Sequence, residues 1–258
     1  MGSAEGDIAD PATLARHSGA AWSRIFHLAG RTYVPDSWAH PGDFYKTNVL
    51  GTANVLELAR SSGTPVTFVS GYLYGKPEKL PISECSPVRP DNPYALSKHL
   101  AEQLCGFYHA RYDLPITILR PFNVYGIGQN DKFLIPTILR QTLFESQVVV
   151  NDLTPRRDFV YLEDLVEALI RTLNRRTGYG VYNIGSGSSL SVREVIDAAQ
   201  TVAQSRKEVV TREVRRGGEI DDVVADSSKA SKELDWRPRH SFREGLELVI
   251  SDMRRRKP

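Results

Sequence analysis

The sequence predicts a doubly wound parallel α/β sheet followed by a small C-terminal lobe. Three observations carry this. Short apolar runs at 22–29, 65–69 and 115–119 have the length and composition of buried strands, and two long helical patterns at 41–61 and 93–112 separate them. Beyond Gly126 the alternation loosens into shorter segments, so the division falls into a core over 1–126 and, over 127–258, the remainder of that core interleaved with the lobe.

Each element has its own signal. Asp10 before Pro11 is an N-cap with proline at the first helical position. The run 22–29 is interrupted by His27, which reads as a satisfied core or loop histidine, and closes at Gly30. The helix over 41–61 carries Val49, Ala53, Leu56 and Ala59 along one side and stops at Ser62-Gly63. After the strand at 65–69 comes a loop rich in Pro and Gly, long enough to be functional. The helix over 93–112 carries Leu96, Leu100, Leu104 and Phe107 at spacings of four and three. In the second half, helices are expected at 134–144, 163–174, 191–204 and 241–254, with strands at 148–150, 159–161, 181–184 and 208–214. Ligands of such folds bind in the crevice outside the carboxyl ends of the strands.

Composition excludes several classes. A net charge of +2 provides no field for nucleic acid, and the basic run Arg254-Arg255-Arg256-Lys257 reads as a solvated tail. Cys85 and Cys105 alone cannot build a disulfide framework, and the six histidines lack metal-ligand spacing, so no metal is expected. With no apolar run near the roughly 18 residues of a membrane span and no signal-peptide pattern, the expectation is a soluble, cytoplasmic protein without a membrane partner.

The chemistry concentrates in Tyr94 and Lys98. Four residues apart near a helix start, they share one face. A phenol with a pKa of about 10 is a poor base at neutral pH, and a neighbouring cation is expected to lower that value. Ser70 ends the preceding strand and can donate a hydrogen bond to an oxygen shared with Tyr94. Together the three describe hydride-transfer machinery, in which the phenol moves a proton at the substrate oxygen. In Arg120-Pro121-Phe122-Asn123, Asn123 suits a polar ligand, while Arg120 is either a ligand residue or a strand-end anchor. Two further arginine clusters, at 156–157 and 215–216, have the planar forks that suit phosphate oxygens.

These residues, with Phe26-His27-Leu28-Ala29-Gly30, Thr47-Asn48-Val49-Leu50-Gly51-Thr52, Leu73-Tyr74-Gly75, Arg157-Asp158-Phe159-Val160-Tyr161, Tyr182-Asn183-Ile184-Gly185 and Leu234-Asp235-Trp236-Arg237-Pro238, resemble the extended short-chain dehydrogenase/reductase family. The likeness is to its NAD-dependent epimerase/dehydratase group, which acts on nucleotide sugars. The resemblance implies a Rossmann-type core and NAD as cofactor. It makes Tyr94 the general acid/base, Lys98 its activator and ribose anchor, and Ser70 the hydroxyl partner. Ala29 and Gly30 would let the chain approach the cofactor, Asn48 would steady that region, and Asn123, Arg157 and Arg216 would hold the substrate diphosphate. It also implies a homodimer through the two long helices.

Dehydratases of the group place an Asp-Glu pair after the catalytic hydroxyl, whereas Ser70 is followed by Gly71-Tyr72. An epimerase or 4-ketoreductase therefore fits better, with a non-catalytic nucleotide-sugar binding protein and a dehydratase as the alternatives. The strand, glycine-rich loop and helix that open a dinucleotide site have no counterpart in this sequence, which makes the Rossmann-type core a truncated one. Three readings of that gap stay open: a piece of a longer enzyme, a shortened binding module, or a cofactor site completed by a second chain.

Overall fold

The structure is a computed structural model that describes residues 6–17, 19–20, 22–175, 177–214 and 218–256. In chain order its elements are α1 (Pro11–Ala15), β1 (Ile25–His27), α2 (Val34–Ala39), α3 (Pro41–Phe44), a π-helical turn (Tyr45–Leu50), α4 (Gly51–Ser62), β2 (Val66–Val69), α5 (Pro93–Tyr112) and β3 (Ile116–Pro121). There follow β4 (Asn123–Tyr125), α6 (Leu134–Phe144), β5 (Gln147–Val150), β6 (Arg156–Arg157), β7 (Phe159–Tyr161), α7 (Leu162–Arg171), a 3-10 turn (Thr172–Asn174) and β8 (Tyr179–Ile184). The chain ends with β9 (Leu190–Ser191), α8 (Val192–Ala203), β10 (Glu208–Thr211), α9 (Ser228–Leu234) and α10 (Phe242–Arg256).

These elements form two compact units. The first comprises the residues through Lys76, Glu84–Pro121 and Ala168–Asn183; the second comprises Pro77–Ser83, Phe122–Glu167 and the residues from Ile184 onward.

A four-stranded sheet in the order β1-β2-β3-β8 organises the first unit. Its first three strands are parallel, with His27 opposite Phe68 and Phe68 opposite Ile118. Parallel strands buried on both faces need continuous apolar sequence, and β3 is buried along its whole length. The core gathers Leu56, Ala59, Val66, Phe68, Ala101, Cys105, Leu114, Ile116 and Ile118. The predicted α/β class, with its parallel core and C-terminal lobe, is the observed one.

Two helices differ from their sequence patterns. The continuous helix expected over 41–61 contains the π-helical turn, one residue wider per turn than its flanks, and that turn carries Asn48. In α5 the leucine stripe is not the buried face. Ala95, Ser97, Lys98, Ala101, Glu102 and Cys105 are buried, whereas Leu96, Leu100 and Phe107 are exposed. Asn92 caps this helix by accepting from the Ala95 amide at 2.9 Å, a contact of about 1 kcal/mol that fixes where Tyr94 enters it.

The second unit has a separate core, built by α6, α8, α10 and the short strands around Ile138, Val148, Tyr161, Ile196 and Leu246. Its strands pair as β4 with β7, β5 with β10 and β6 with β9. The motif at 234–238 serves packing: Trp236 is buried and its indole donates to the Asp164 carbonyl at 2.8 Å. The Asp164 carboxylate in turn accepts from the amides of Arg239 and His240.

Candidate active site

Six of the residues singled out in the sequence lie together where β1 and β2 end and α5 begins. The Ser70 amide continues the sheet by donating to the Leu119 carbonyl at 2.8 Å. Its side chain is 3% exposed, and its Oγ has no hydrogen-bond partner among the described residues. A buried hydroxyl left unsatisfied costs about 1–3 kcal/mol, so this atom is ready for a ligand oxygen. One turn into α5, the Lys98 ammonium donates to the Val69 carbonyl at 2.8 Å and lies 4.8 Å above the Phe68 ring. The Tyr94 hydroxyl lies against Gly71, where an added Cβ would collide with it.

The cradle for a cofactor is built from β1 outward. A Cβ added at Gly30 would lie 3.0 Å from Asn48 Oδ1 and 3.2 Å from Lys98 Nζ, so the loop approaches both groups as only glycine comfortably can. Asn48 holds that loop from the π-helical turn: its Oδ1 accepts from the Arg31 amide at 2.8 Å and its Nδ2 donates to the Arg31 carbonyl at 3.0 Å. The same Nδ2 donates to Ser97 Oγ at 2.8 Å, and Ser97 donates to the Tyr94 carbonyl at 2.7 Å, tying the loop to α5. Ala29 packs against Ile8, Leu14 and Val55. These features fit a nicotinamide cofactor: an orphaned hydroxyl, a buried ammonium and a side-chain-free approach.

Electrostatics corrects one sequence expectation. The Tyr94 phenol is pushed up to about 12 rather than lowered, because burial disfavours the phenolate. Burial also brings the Lys98 ammonium down to about 8, against the opposing pull of Glu102. His27 is the structural histidine expected: its Nε2 lies 2.8 Å from Thr52 Oγ1, and burial, then the Lys98 charge, lower it to about 3. Because the Thr52 hydroxyl donates to the Asn48 carbonyl at 2.6 Å, the neutral ring donates to Thr52 through Nε2–H.

Asn123 and Arg157 belong to the second unit. The Asn123 amide and its side-chain Nδ2 both donate to the Asp158 carbonyl, at 3.0 and 3.2 Å. Arg157 is partly exposed; its guanidinium pairs with Glu219 and donates to the Ile220 carbonyl at 2.8 Å. Arg216 lies outside the described residues. Sequence reasoning missed Asp158, whose buried carboxylate accepts from the amides of Ser186, Gly187 and Ala225 and from the Ser186 hydroxyl. Burial holds its carboxyl above the ordinary range against those four donors. An acid embedded between Arg157 and apolar Phe159 was the available signal. Among the described residues, no group of three or more His, Cys, Asp or Glu could hold a metal, and no helix is long and apolar enough to cross a membrane.

The family described as GDP-mannose 4,6 dehydratase matches residues 2–249. The GDP-6-deoxy-D-mannose reductase of Pseudomonas aeruginosa is 32% identical over 262 residues, covering 95% of this chain and 85% of the relative. The structure of RMD from Pseudomonas aeruginosa, complexed with NADPH, superposes with a TM-score of 0.91 at 31% identity, covering 97% of this chain and 87% of the other. The UDP-glucose 4-epimerase of Thermotoga maritima, solved with UDP-glucose, gives 0.92 at 29% identity and covers 97% and 84%. With the phenol, ammonium and strand-end hydroxyl assembled on this sheet, the chain belongs to the NAD-dependent epimerase/dehydratase superfamily, the extended short-chain dehydrogenases/reductases that act on nucleotide sugars with NAD(P).

Proposed function

We propose that this protein reduces or epimerises a nucleotide sugar at a keto or hydroxyl carbon and does not catalyse elimination. The observation that carries this reading is the surroundings of the Tyr94 hydroxyl. It is a neutral phenol lying against Gly71, with no carboxylate at positions 71 and 72. The neutral phenol can give its proton to a developing alkoxide, and the phenolate can take one from an alcohol in the reverse direction. Dehydratases of the group work through an Asp-Glu carboxyl pair after the hydroxyl, and Gly71-Tyr72 supplies no carboxyl group.

NAD(P), when bound, supplies the hydride donor or acceptor. In this reading Ser70 Oγ donates a hydrogen bond to the substrate oxygen, and Tyr94 delivers its proton to the same atom. The Lys98 ammonium, one turn along α5, would offset part of the burial cost of the phenolate left behind. Asn48 and Gly30 keep the loop after β1 close to Lys98. By resemblance, Asn123, Arg157 and Arg216 would hold the diphosphate of the sugar nucleotide.

A second copy of the chain would cover the outer face of α5. Leu96, Leu100 and Phe107 are exposed there, as is Leu50 on the π-helical turn. A cavity of about 600 Å³ is lined in part by Val49, Leu100, Leu104 and Phe107. An exposed apolar stripe of this length on a long helix is typical of an interface.

The test is turnover of a nucleotide 4-keto sugar with NADPH and with NADH, followed by nicotinamide absorbance, beside epimerisation of UDP-glucose followed by chromatography. Tyr94→Phe is expected to lower kcat by about 10²–10⁴-fold with unchanged circular dichroism. Full turnover by that variant, or release of a 4-keto-6-deoxy product from a nucleotide hexose, would overturn the reading.

A further inference from the structure

The mechanism leaves one buried ion pair unused. Glu102 and Arg120 are 4% and 6% exposed and form a bidentate pair, with Arg120 Nε and Nη2 donating to the two carboxylate oxygens at 2.9 and 2.6 Å. Arg120 Nη1 also donates to the Tyr74 hydroxyl at 2.9 Å, and Tyr74 passes its proton side to Asn183 Oδ1 at 2.6 Å. Arg120 is thus held by Glu102 and Tyr74 together, and both carboxylate oxygens of Glu102 are engaged by the one guanidinium.

Desolvating two charges costs several kcal/mol per ion, and a pair of well-packed apolar residues would stabilise the fold as well or better. Stability alone is therefore a weak reason for this pair. Its position is more informative. Glu102 follows Lys98 by four residues on the same buried face of α5, and its charge opposes the lowering of the Lys98 ammonium by burial.

The other groups facing Lys98 carry no negative charge near neutral pH. From β1 there is His27, which is neutral; from β2 there are the Phe68 ring and the Val69 carbonyl. The π-helical turn contributes the uncharged Asn48 amide. On α5 itself, Tyr94 is a neutral phenol, and burial pushes the Cys105 thiol far up, so it too is neutral. On β3, Arg120 is paired with Glu102. Glu102 is the anion of this cluster among the described residues.

We propose that Glu102, locked in place by Arg120, is a positioning residue that keeps the buried Lys98 ammonium charged, with Arg120 moderating how strongly it does so. The role of Lys98 in this statement rests on the proposed function. The electrostatic coupling itself does not.

The coupling makes a signed prediction that a purely structural pair does not. Glu102→Gln removes the anion and leaves the Arg120 cation, so Lys98 loses its proton at lower pH, by about one unit. Arg120→Gln removes the competing cation while retaining a donor to Glu102, so Lys98 holds its proton to higher pH. Glu102→Asp keeps the charge and stays near the wild-type value.

The experiment is pH titration of Lys98 Nζ by heteronuclear NMR on the full chain carrying ¹⁵N-lysine, with Lys98 assigned through Lys98→Arg. It is run beside the pH profile of kcat/KM for keto-sugar reduction. Opposite displacements in the two glutamine variants, mirrored in the alkaline limb of the profile, support the proposal. An unmoved Lys98 titration, or displacement in the same direction in both, overturns it. If Glu102→Gln does not fold, Arg120→Gln against Glu102→Asp carries the same contrast. Should the NMR shifts appear without turnover of any nucleotide sugar, the functional reading fails while the coupling stands.

Discussion

At Gly71 the missing side chain is the space that the Tyr94 hydroxyl occupies. Gly71→Ala should displace the phenol from the oxygen it serves and lower kcat by about 10²-fold, since misplacement by about 1 Å costs that much. The melting temperature should change little, and steady-state kinetics beside thermal denaturation would separate the two effects. A carboxylate installed at 71 meets the same obstruction, so Gly71→Asp should not create an elimination catalyst. Residue types made this site readable: a phenol, an ammonium four residues on, and a hydroxyl at a strand end. The direction of the Tyr94 shift was not readable, because spacing gives proximity and says nothing of desolvation. Glu102 was hidden for a related reason. Four residues after a lysine, it reads as an ordinary surface pair, and only the fold shows that this face of α5 is buried.

Among the elements, the exposed stripe of α5 carries its own prediction. Leu100→Glu places a charge in the middle of that stripe and should shift the protein from dimer to monomer in sedimentation at micromolar concentration. A monomeric wild-type protein would refute the assembly. Periodicity located α5 and α6 to the residue, because caps and turns bound them: Asn92-Pro93 opens α5 and Asp113, at a φ of 53°, closes it. It failed on which face is buried, since apolar spacing marks a stripe without saying what covers it. The two-residue strands β6 and β9 left no periodic trace, being too short to alternate. The π-helical turn was also invisible, because one residue more in a turn changes neither composition nor apolar spacing enough to register.

For the whole molecule, two separate cores mean that stability can be probed unit by unit, and His27 makes that of the first unit depend on pH. Folded His27 resists protonation until about 3, whereas its ordinary value is 6.5. The stability it contributes is complete above 6.5 and falls as pH drops toward 3, because the unfolded chain takes up the proton first. The slope is about 1.4 kcal/mol per pH unit, so about 2 kcal/mol should be gone by a pH of about 5. Urea unfolding at neutral and mildly acidic pH should show this loss in the wild type and a smaller one in His27→Gln.

The π-helical turn has a consequence for how such a sequence can change. It adds one residue of phase between α3 and α4, and a helix turns by about 100° per residue. Substitutions around Asn48 can be absorbed one side chain at a time. A single-residue deletion would rewind the segment and swing Asn48 a quarter-turn or more away from Arg31 and Ser97. Across descendants of this gene, the stretch from Tyr45 to Leu50 should therefore vary in letters and not in length.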